Sequence, residues 1–310
     1  MEGGNETSLT KITEFIFMGV TDDPELQVPL FLVFLLIYTV TVVANFGMVI
    51  LTKIDSRLQT PMYFFLRHLA LIDLGYSTAI GPKMLVNFVK NSISYNECAL
   101  QLIFFGIFIN SEVFILSAMA YDRYVAICKP LLYTVIMSDK VCYILVTVTY
   151  IYSIIVSSLV TIKIFQLSFC CSNVIQHFYC ESLPLMAIAC SDTSEIELII
   201  MTFAAFNLVS SLVIILVTYM LILFAILQMN SSQGRHKAFS TCGSHLTVVI
   251  VFFGTLVFMY LQPQSSHSFS TDKMASVFYT LVIPMLNPLI YSLRNNEVKG
   301  ALKRVFRNLM

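Results

Sequence analysis

Apolar residues gather along this chain into seven long segments, separated by short stretches that carry most of the charges. An α-helix needs about 20 mostly apolar residues to cross the hydrocarbon of a bilayer. The segments run from Leu30 to Leu51, Met62 to Ile80, Leu100 to Ile127, Val141 to Ile162, Ile196 to Leu227, Phe239 to Leu261 and Met274 to Leu293. None shows the alternation over about ten residues that is typical of a membrane β-barrel. The pattern predicts an all-α membrane protein, a bundle of seven transmembrane helices.

Composition supports this prediction. Of the 310 residues, 57% are hydrophobic and 12% are charged, whereas a soluble domain carries roughly 25% charged residues. The formal net charge is zero and the chain has 25 Phe but only 11 Gly, which argues against a disordered, collagen-like or nucleic-acid-binding protein. A soluble enzyme is excluded on the same grounds.

The charges predict how the chain is oriented. If the seven segments alternate between the two sides, thirteen basic residues fall on one side and five on the other. Basic residues are enriched on the cytoplasmic side of membrane proteins. We therefore expect a plasma-membrane protein with an extracellular N-terminus (1–27), a long extracellular loop (163–195) and a cytoplasmic tail (294–310). A glycosylation sequon at Asn5 lies on the predicted outer side, and no signal peptide is recognisable before the first segment.

The tail begins with a basic amphipathic stretch. Val298, Leu302, Val305 and Phe306 share one face of a helix, which predicts a short helix on the inner leaflet. A solvated basic tail is the alternative.

Two acids lie inside the apolar segments. Glu112 is seven residues after Phe105 and eleven before Arg123, so the three share one face of the third helix. Lipid would not tolerate Glu112, so this face points into the bundle, with Asp73 of the second helix as its neighbour. Two acids without a base at the same depth suggest a bound sodium ion or a protonated acid. Simple hydrogen bonding to Ser, Thr or Asn is the alternative.

Two short motifs stand out at the ends of the predicted helices. Asp122-Arg123-Tyr124 is an acid and base pair at the inner end of the third helix. The seventh helix contains Asn287-Pro288-Leu-Ile-Tyr291, in which the proline removes a backbone donor. We expect this proline to kink or loosen the helix, where it could act as a hinge; an ordinary packing role is the alternative.

Four longer sequence motifs resemble those of a known protein family. They are Leu58-Gln-Thr-Pro-Met-Tyr-Phe-Phe-Leu66, Met119-Ala-Tyr-Asp-Arg-Tyr-Val-Ala-Ile-Cys128, Lys237-Ala-Phe-Ser-Thr-Cys242 with Ser244-His245-Leu246, and Pro284-Met-Leu-Asn-Pro-Leu-Ile-Tyr291. Together with Asn45 and Asp73 they resemble the olfactory receptors, a branch of the rhodopsin-like G-protein-coupled receptors, over nearly the whole chain. Ala44, Cys171 and Phe253 depart from the family pattern.

The resemblance implies a receptor with no catalytic residue and no cofactor beyond the suggested sodium ion. An odorant would bind among the helices and shift the bundle towards a state that engages a stimulatory heterotrimeric G protein, raising cAMP. Residues expected in coupling and switching are Asp122, Arg123, Tyr124, Tyr219, His245, Asn287, Pro288 and Tyr291. The resemblance also implies disulfides Cys98–Cys180 and Cys170–Cys190, with Cys171 as an alternative to Cys170.

Side-chain spacing predicts the ligand pocket. The residues expected to line it are Phe105, Ile109, Asn110, Phe203, Asn207, Phe253, Leu256, Tyr260 and Thr280. Phe105 stands where an amine receptor would have an acid, so we expect a small, neutral, mostly hydrophobic odorant with one hydrogen-bonding oxygen. Asn207 has an alternative role, a bond to a neighbouring helix.

Three alternative functions are compatible with parts of the sequence. A transporter or channel is the main alternative, but seven segments without internal repeats do not favour it. An intramembrane enzyme could use Asp73 and Glu112 as a carboxylate dyad. His177, Cys180 and Glu181 are metal-ligand types, although the resemblance assigns Cys180 to a disulfide.

Overall fold

The structure, a computed structural model, describes residues 12–21, 23–170, 172–229, 231–261, 273, 275–294 and 296–309. Asn5, Cys171 and the side chain of Tyr260 lie outside the described residues. The described long helices are α1 (Pro24–Ile54), α2 (Pro61–Val86), α3 (Tyr95–Cys128), α4 (Asp139–Phe165), α5 (Ser194–Leu227), α6 (Ser232–Leu261), α7 (residues 275–294) and α8 (Asn296–Leu309). The first seven form the predicted bundle and α8 is the predicted amphipathic helix.

Helix boundaries follow local sequence signals. The Asp23 side chain caps α1 by accepting a bond from the Glu25 amide at 2.9 Å, with Pro24 in the first turn. Ser94 and Glu97 form a capping box at the start of α3. Short helical turns lie between the long helices, at Ser56–Leu58, Pro130–Leu132, Tyr133–Ile136 and Ser182–Met186.

Among the described helices, α1, α3, α4 and α5 are long and apolar enough to cross a membrane. Shorter apolar stretches lie within α6 and α7, at His245–Val257 and Ala275–Tyr291. The amino acids of α2 are less apolar because it carries Arg67, His68 and Asp73. It packs against α1 and α3, so the bundle buries much of its surface.

Helix α3 occupies the centre of the bundle. It packs against α2, α4, α5 and α6, whereas α7 packs against α1, α2 and α6. The buried residues of α3 include Glu112, Asp122 and Arg123. The predicted inward face of α3 is therefore confirmed, and it brings charged side chains to two depths of the core.

A small sheet closes one end of the bundle, which we call the sheet end. Within the described residues, β1 (Glu14–Phe17) pairs antiparallel with β2 (Ser92–Ser94) and parallel with β3 (Val174–Ile175). Such short strands lack a pattern long enough to predict from sequence. The opposite end, where α3 finishes, we call the Arg123 end.

The long loop 163–195 folds over the sheet end. Phe178, Tyr179 and Cys180 are fully buried. The Cys180 amide donates to Gln101 Oε1 at 2.9 Å, and Asn87 Nδ2 donates to the Phe178 carbonyl at 3.0 Å. These bonds fix the loop against the ends of α2 and α3.

Helix α7 contains an irregular turn that precedes Pro288 in the sequence. A π-turn spans Phe278–Val282, and Ile283–Arg294 then runs as α-helix with Pro288 inside it. Pro284 has no N–H, and the Ile283 amide reaches back to the Phe278 carbonyl, so the widened turn lies just before the earlier proline. The sequence analysis does not predict this π-turn, and the expected kink or loosening at Pro288 stays a prediction.

A salt bridge joins helix α8 to the turn between α1 and α2. Arg304 Nε and Nη2 donate to Asp55 Oδ2 at 3.0 and 2.6 Å. Val298 and Ala301 are buried, but Leu302 is 36% exposed and so lies at the edge of the apolar face.

Candidate functional site

Phe105 lies in an aromatic cluster near the sheet end of the bundle. Its ring centroid is 5.3 Å from those of Tyr76 and Tyr179 and 6.4 Å from that of Tyr279. The cluster therefore joins α2, α3, α7 and the long loop. Of these rings, sequence reasoning had selected only Phe105.

Glu181 closes the cluster from the loop side. Tyr179 and Tyr279 donate their hydroxyls to its two carboxylate oxygens at 2.8 and 2.9 Å, and the two hydroxyls are 2.5 Å apart. Burial raises the pKa of Tyr179 well above its usual value, so this phenol stays protonated and can donate. An acid thus does lie close to Phe105, supplied by the loop rather than by α3.

His177 is the next titratable group in this loop. It is 3% exposed, and its Nε2 lies 3.2 Å from Ser276 Oγ and 3.4 Å from Glu181 Oε2. Burial, helped by the positive charge of Lys273, lowers the pKa of His177 to about 3. The ring is therefore neutral at physiological pH.

The two predicted pocket amides bond each other. Asn207 Nδ2 donates to Asn110 Oδ1 at 2.6 Å, and Tyr152 donates its hydroxyl to Asn207 Oδ1 at 2.6 Å. Asn110 Nδ2 donates to the Gly106 carbonyl at 2.7 Å and to Ser157 Oγ at 3.4 Å. This network ties α3, α4 and α5 together, so the interhelical alternative for Asn207 is what the structure shows.

Five other predicted pocket residues have described side chains, and all five are buried or half-buried. Thr280 is fully buried and donates its hydroxyl to the Ser276 carbonyl at 2.6 Å. Phe253 and Leu256 of α6 are buried, and Ile109 and Phe203 are half-buried. These side chains are apolar, or have their polar atom bonded within their own helix.

Asp73 and Glu112 meet through Asn287 in the middle of the bundle. Asn287 Nδ2 lies 3.2 and 3.1 Å from the two oxygens of Asp73 and 3.4 Å from Glu112 Oε1. All three side chains are buried. The predicted proximity of the two acids is correct, and the amide contact matches the alternative of simple hydrogen bonding.

At the Arg123 end, Asp122 bonds Tyr133 instead of its neighbour. Tyr133 donates its hydroxyl to Asp122 Oδ1 at 2.8 Å, and no ion pair between described side chains joins Asp122 to Arg123. Successive helical residues point about 100° apart, which favours separate partners. Arg123 is 7% exposed, and Tyr124 lies beside Lys129, whose Nζ is 5.7 Å from its ring centroid.

His245 connects three helices near Arg123. Its Nε2 lies 3.1 Å from the Leu116 carbonyl and its Nδ1 lies 2.6 Å from the Tyr219 hydroxyl. A carbonyl can only accept, so Nε2 carries a proton and, in the neutral ring, Tyr219 donates to Nδ1. The bonds link α6 to α3 and α5. Tyr291 and Pro288 of α7 are buried.

Two disulfides are present at the sheet end. Cys98 joins Cys180 with Cα atoms 5.6 Å apart, and Cys170 joins Cys190 at 5.9 Å. Both predicted pairings are confirmed. Because the sulfur of Cys180 is in a disulfide, it cannot serve as a thiolate ligand with His177 and Glu181, which rules out the metal site weighed from the sequence.

Sequence reasoning missed Tyr76, Tyr133, Tyr179 and Tyr279. Tyr76 follows Asp73 by three residues and so shares a face with it, a signal that was available. Tyr133, Tyr179 and Tyr279 act through contacts between elements distant in sequence, which no local spacing reveals.

Charged residues are buried along α3, and a disulfide holds the long loop over one end of the bundle. This architecture is that of a seven-helix transmembrane receptor. The olfactory receptor family model matches residues 34–308. Human olfactory receptor 8K1 is 68% identical over 306 residues, covering 98% of this chain and 96% of the relative. Human olfactory receptors 8K3 and 8K5 are 69% and 65% identical over 304 and 303 residues, covering 97% of this chain in each case and 97% and 99% of the relatives.

The chain belongs to the olfactory receptor family. It is a multi-pass membrane protein and an odorant receptor by family, not an enzyme.

Proposed function

We propose that this receptor lies in the plasma membrane and activates a stimulatory heterotrimeric G protein, raising cAMP, when an odorant binds. Arg123 is the observation that carries the proposal. It is buried at the end of α3 without an ion pair to Asp122 among the described residues, close to the bonded pair Tyr219 and His245. A buried guanidinium is costly, and movement of α6 would expose it to a partner.

Coupling needs only that odorant and G protein favour the same arrangement of the helices. Tyr219, His245, Asn287, Pro288 and Tyr291 are the residues proposed to change contacts between the two states. The His245 bonds between α6, α3 and α5 would hold the resting arrangement. The irregular turn Phe278–Val282 in α7 gives a second place for adjustment.

The proposed orientation puts the sheet end outside the cell. Both disulfides lie there, and disulfides persist in oxidising compartments. Residues 1–27 and 163–195 would be extracellular, residues 294–310 cytoplasmic, and Asn5 would carry a glycan. The exposed bases of α8, Lys299, Lys303 and Arg307, would then face anionic lipid headgroups.

The proposed odorant is small, neutral and mostly hydrophobic, with one oxygen atom. The proposed site lies among Phe105, Ile109, Asn110, Phe203, Asn207, Phe253, Leu256, Tyr260 and Thr280. A carboxylate ligand is disfavoured by Glu181, and an amine would have to displace the two tyrosine hydroxyls that already bond its oxygens.

Asp73 and Glu112 are proposed to bind a sodium ion that favours the resting state. Carboxylate oxygens are the ligands that hard cations prefer, and both acids approach the same amide nitrogen. Ser77 lies four residues after Asp73 on the same face of α2, and its buried hydroxyl has no partner among described groups. These oxygens are of the type that a small cation prefers.

The sodium proposal predicts a loss of ion sensitivity. Replacing external sodium with an organic cation should raise basal cAMP in cells expressing the wild type. Asp73→Asn and Glu112→Gln should remove that response, because each deletes a charge that holds the ion. Glu195→Gln, an exposed acid at the sheet end, is the control. Variants that keep the wild-type sodium response would show that the acids are structural.

The coupling proposal is tested at Arg123. Arg123→Ala should abolish odorant-driven cAMP while surface expression, measured by antibody labelling of intact cells, stays near the wild-type level. Arg57→Ala is the matched control, because Arg57 is an exposed base at the same end and should signal normally. Full signalling by Arg123→Ala would refute the assignment.

A further inference from the structure

Tyr76 is buried in the aromatic cluster with an unused hydroxyl. The residue is 1% exposed, and its ring centroid is 5.3 Å from that of Phe105. Its hydroxyl has no hydrogen-bond partner within the described part of the chain. Buried hydroxyls without a partner are uncommon in native proteins, and each needs an explanation.

The polar pocket residues named above, and the tyrosines beside them, already have partners in the protein. Asn110 and Asn207 bond each other, and Tyr152 bonds Asn207. The hydroxyls of Tyr179, Tyr279 and Thr280 already donate to oxygen atoms of the protein. A ligand oxygen would have to break an existing protein bond at any of them, but not at Tyr76.

Several other buried hydroxyls are unpartnered, but their positions differ. They are those of Ser77, Thr161, Ser211 and Tyr291. Tyr76 is distinguished by its direct ring contact with Phe105. It therefore combines an available polar atom with a position on the wall of the predicted pocket.

We propose that the Tyr76 hydroxyl binds the oxygen atom of the odorant and gives the site its preference for oxygenated ligands. The inference rests on the proposed receptor function and deepens it. A phenol can donate one hydrogen bond and also accept, so Tyr76 would suit an alcohol, a ketone or an ester. The ring of Phe105, which is only partly buried, would turn aside to admit the ligand.

The first test needs no ligand. Thermal unfolding of the purified, detergent-solubilised receptor should be compared for Tyr76→Phe and Tyr152→Phe. Tyr76→Phe should unfold at the wild-type temperature or higher, because it removes an unpartnered buried group. Tyr152→Phe should unfold at a lower temperature, because its hydroxyl donates to Asn207 at 2.6 Å. Equal losses in the two variants would overturn the claim that the Tyr76 hydroxyl is unused.

The second test measures how well the receptor discriminates oxygenated odorants from analogues that lack the oxygen. Cells expressing the receptor should be given octanol, octanone and hexyl acetate, each beside an analogue with the oxygen replaced by a methyl or methylene group. Wild type should prefer the active oxygenated compound by a few-fold to about tenfold, the value of one hydrogen bond. Tyr76→Phe should bring this ratio close to one by weakening only the oxygenated compound.

Two outcomes separate the inference from the proposed function. If Tyr76→Phe keeps the wild-type ratio, Tyr76 does not bind the ligand oxygen, although the receptor function stands. If the wild type responds to no odorant, the failure belongs to the proposed function, and the unfolding comparison still decides whether Tyr76 has a partner in the protein.

Discussion

At the scale of single residues, His177 combines deep burial with a titratable ring. Its pKa is lowered to about 3, whereas an unfolded chain gives histidine a pKa of about 6.5. Between these values the unfolded state binds a proton that the folded state does not. Stability should therefore rise with pH across this window and fall on acidification.

This gives a measurable prediction. The unfolding temperature of the solubilised receptor should fall as the pH is lowered from about 7 to about 5, and His177→Gln should make the fall shallower. Asp55 does not complicate the comparison, because its bond to Arg304 lowers its pKa from 3.8 and it stays charged throughout. The same pH slope in wild type and variant would show that His177 is not buried in its neutral form.

Residue spacing predicted which side chains point inward but not which partners they choose. Phe105, Glu112 and Arg123 were placed correctly on one face of α3, because helical periodicity is a local property. The partners of Asn110, Asn207 and Asp122 come from other helices or loops. Their bonds depend on how the helices pack, which the spacing within one helix does not contain.

At the scale of elements, the contact between α3 and α4 depends on a small residue. A Cβ added at Gly106 would lie 2.8 Å from Ser157 Oγ and 3.0 Å from Ser157 Cβ. The Gly106 carbonyl also accepts the bond from Asn110 at 2.7 Å. Close packing of the two helices therefore supports the polar network beside the predicted pocket.

Gly106→Ala should destabilise the receptor by about 1–3 kcal/mol, the usual cost of overpacking a core. Gly47→Ala is the control, because an added Cβ there meets nothing within 4 Å and alanine favours helix. Thermal unfolding of both variants checks this. A Gly106→Ala variant as stable as Gly47→Ala would contradict the close contact.

Most elements were predictable because a run of about 20 apolar residues crosses a bilayer as an α-helix. The elements that escaped prediction are short or depend on packing. The strand Glu14–Phe17 pairs with Ser92–Ser94 and with Val174–Ile175, and each pairing joins segments that are distant in sequence. The π-turn of α7 ends at Val282, six residues before Pro288, where no residue pattern predicts it.

At the scale of the whole molecule, described polar side chains gather in groups at three levels of one apolar bundle. Glu181 and its tyrosines lie near the sheet end, while Asp122, Arg123 and His245 lie at the opposite end, with Asp73, Glu112 and Asn287 between them. This distribution is what a receptor needs to connect a ligand on one side with a partner on the other. The family could be recognised from sequence because its motifs are long, whereas the odorant could not, because it depends on the shape of the assembled pocket.

The most direct test of the central claim is cAMP in cells that express this chain and no other odorant receptor, exposed to a diverse panel of neutral oxygenated odorants. We predict a saturable, concentration-dependent rise in cAMP that is absent without the receptor and lost when the stimulatory G-protein α subunit is removed. A solute flux that persists without the G protein, with no odorant-dependent cAMP, would contradict the account.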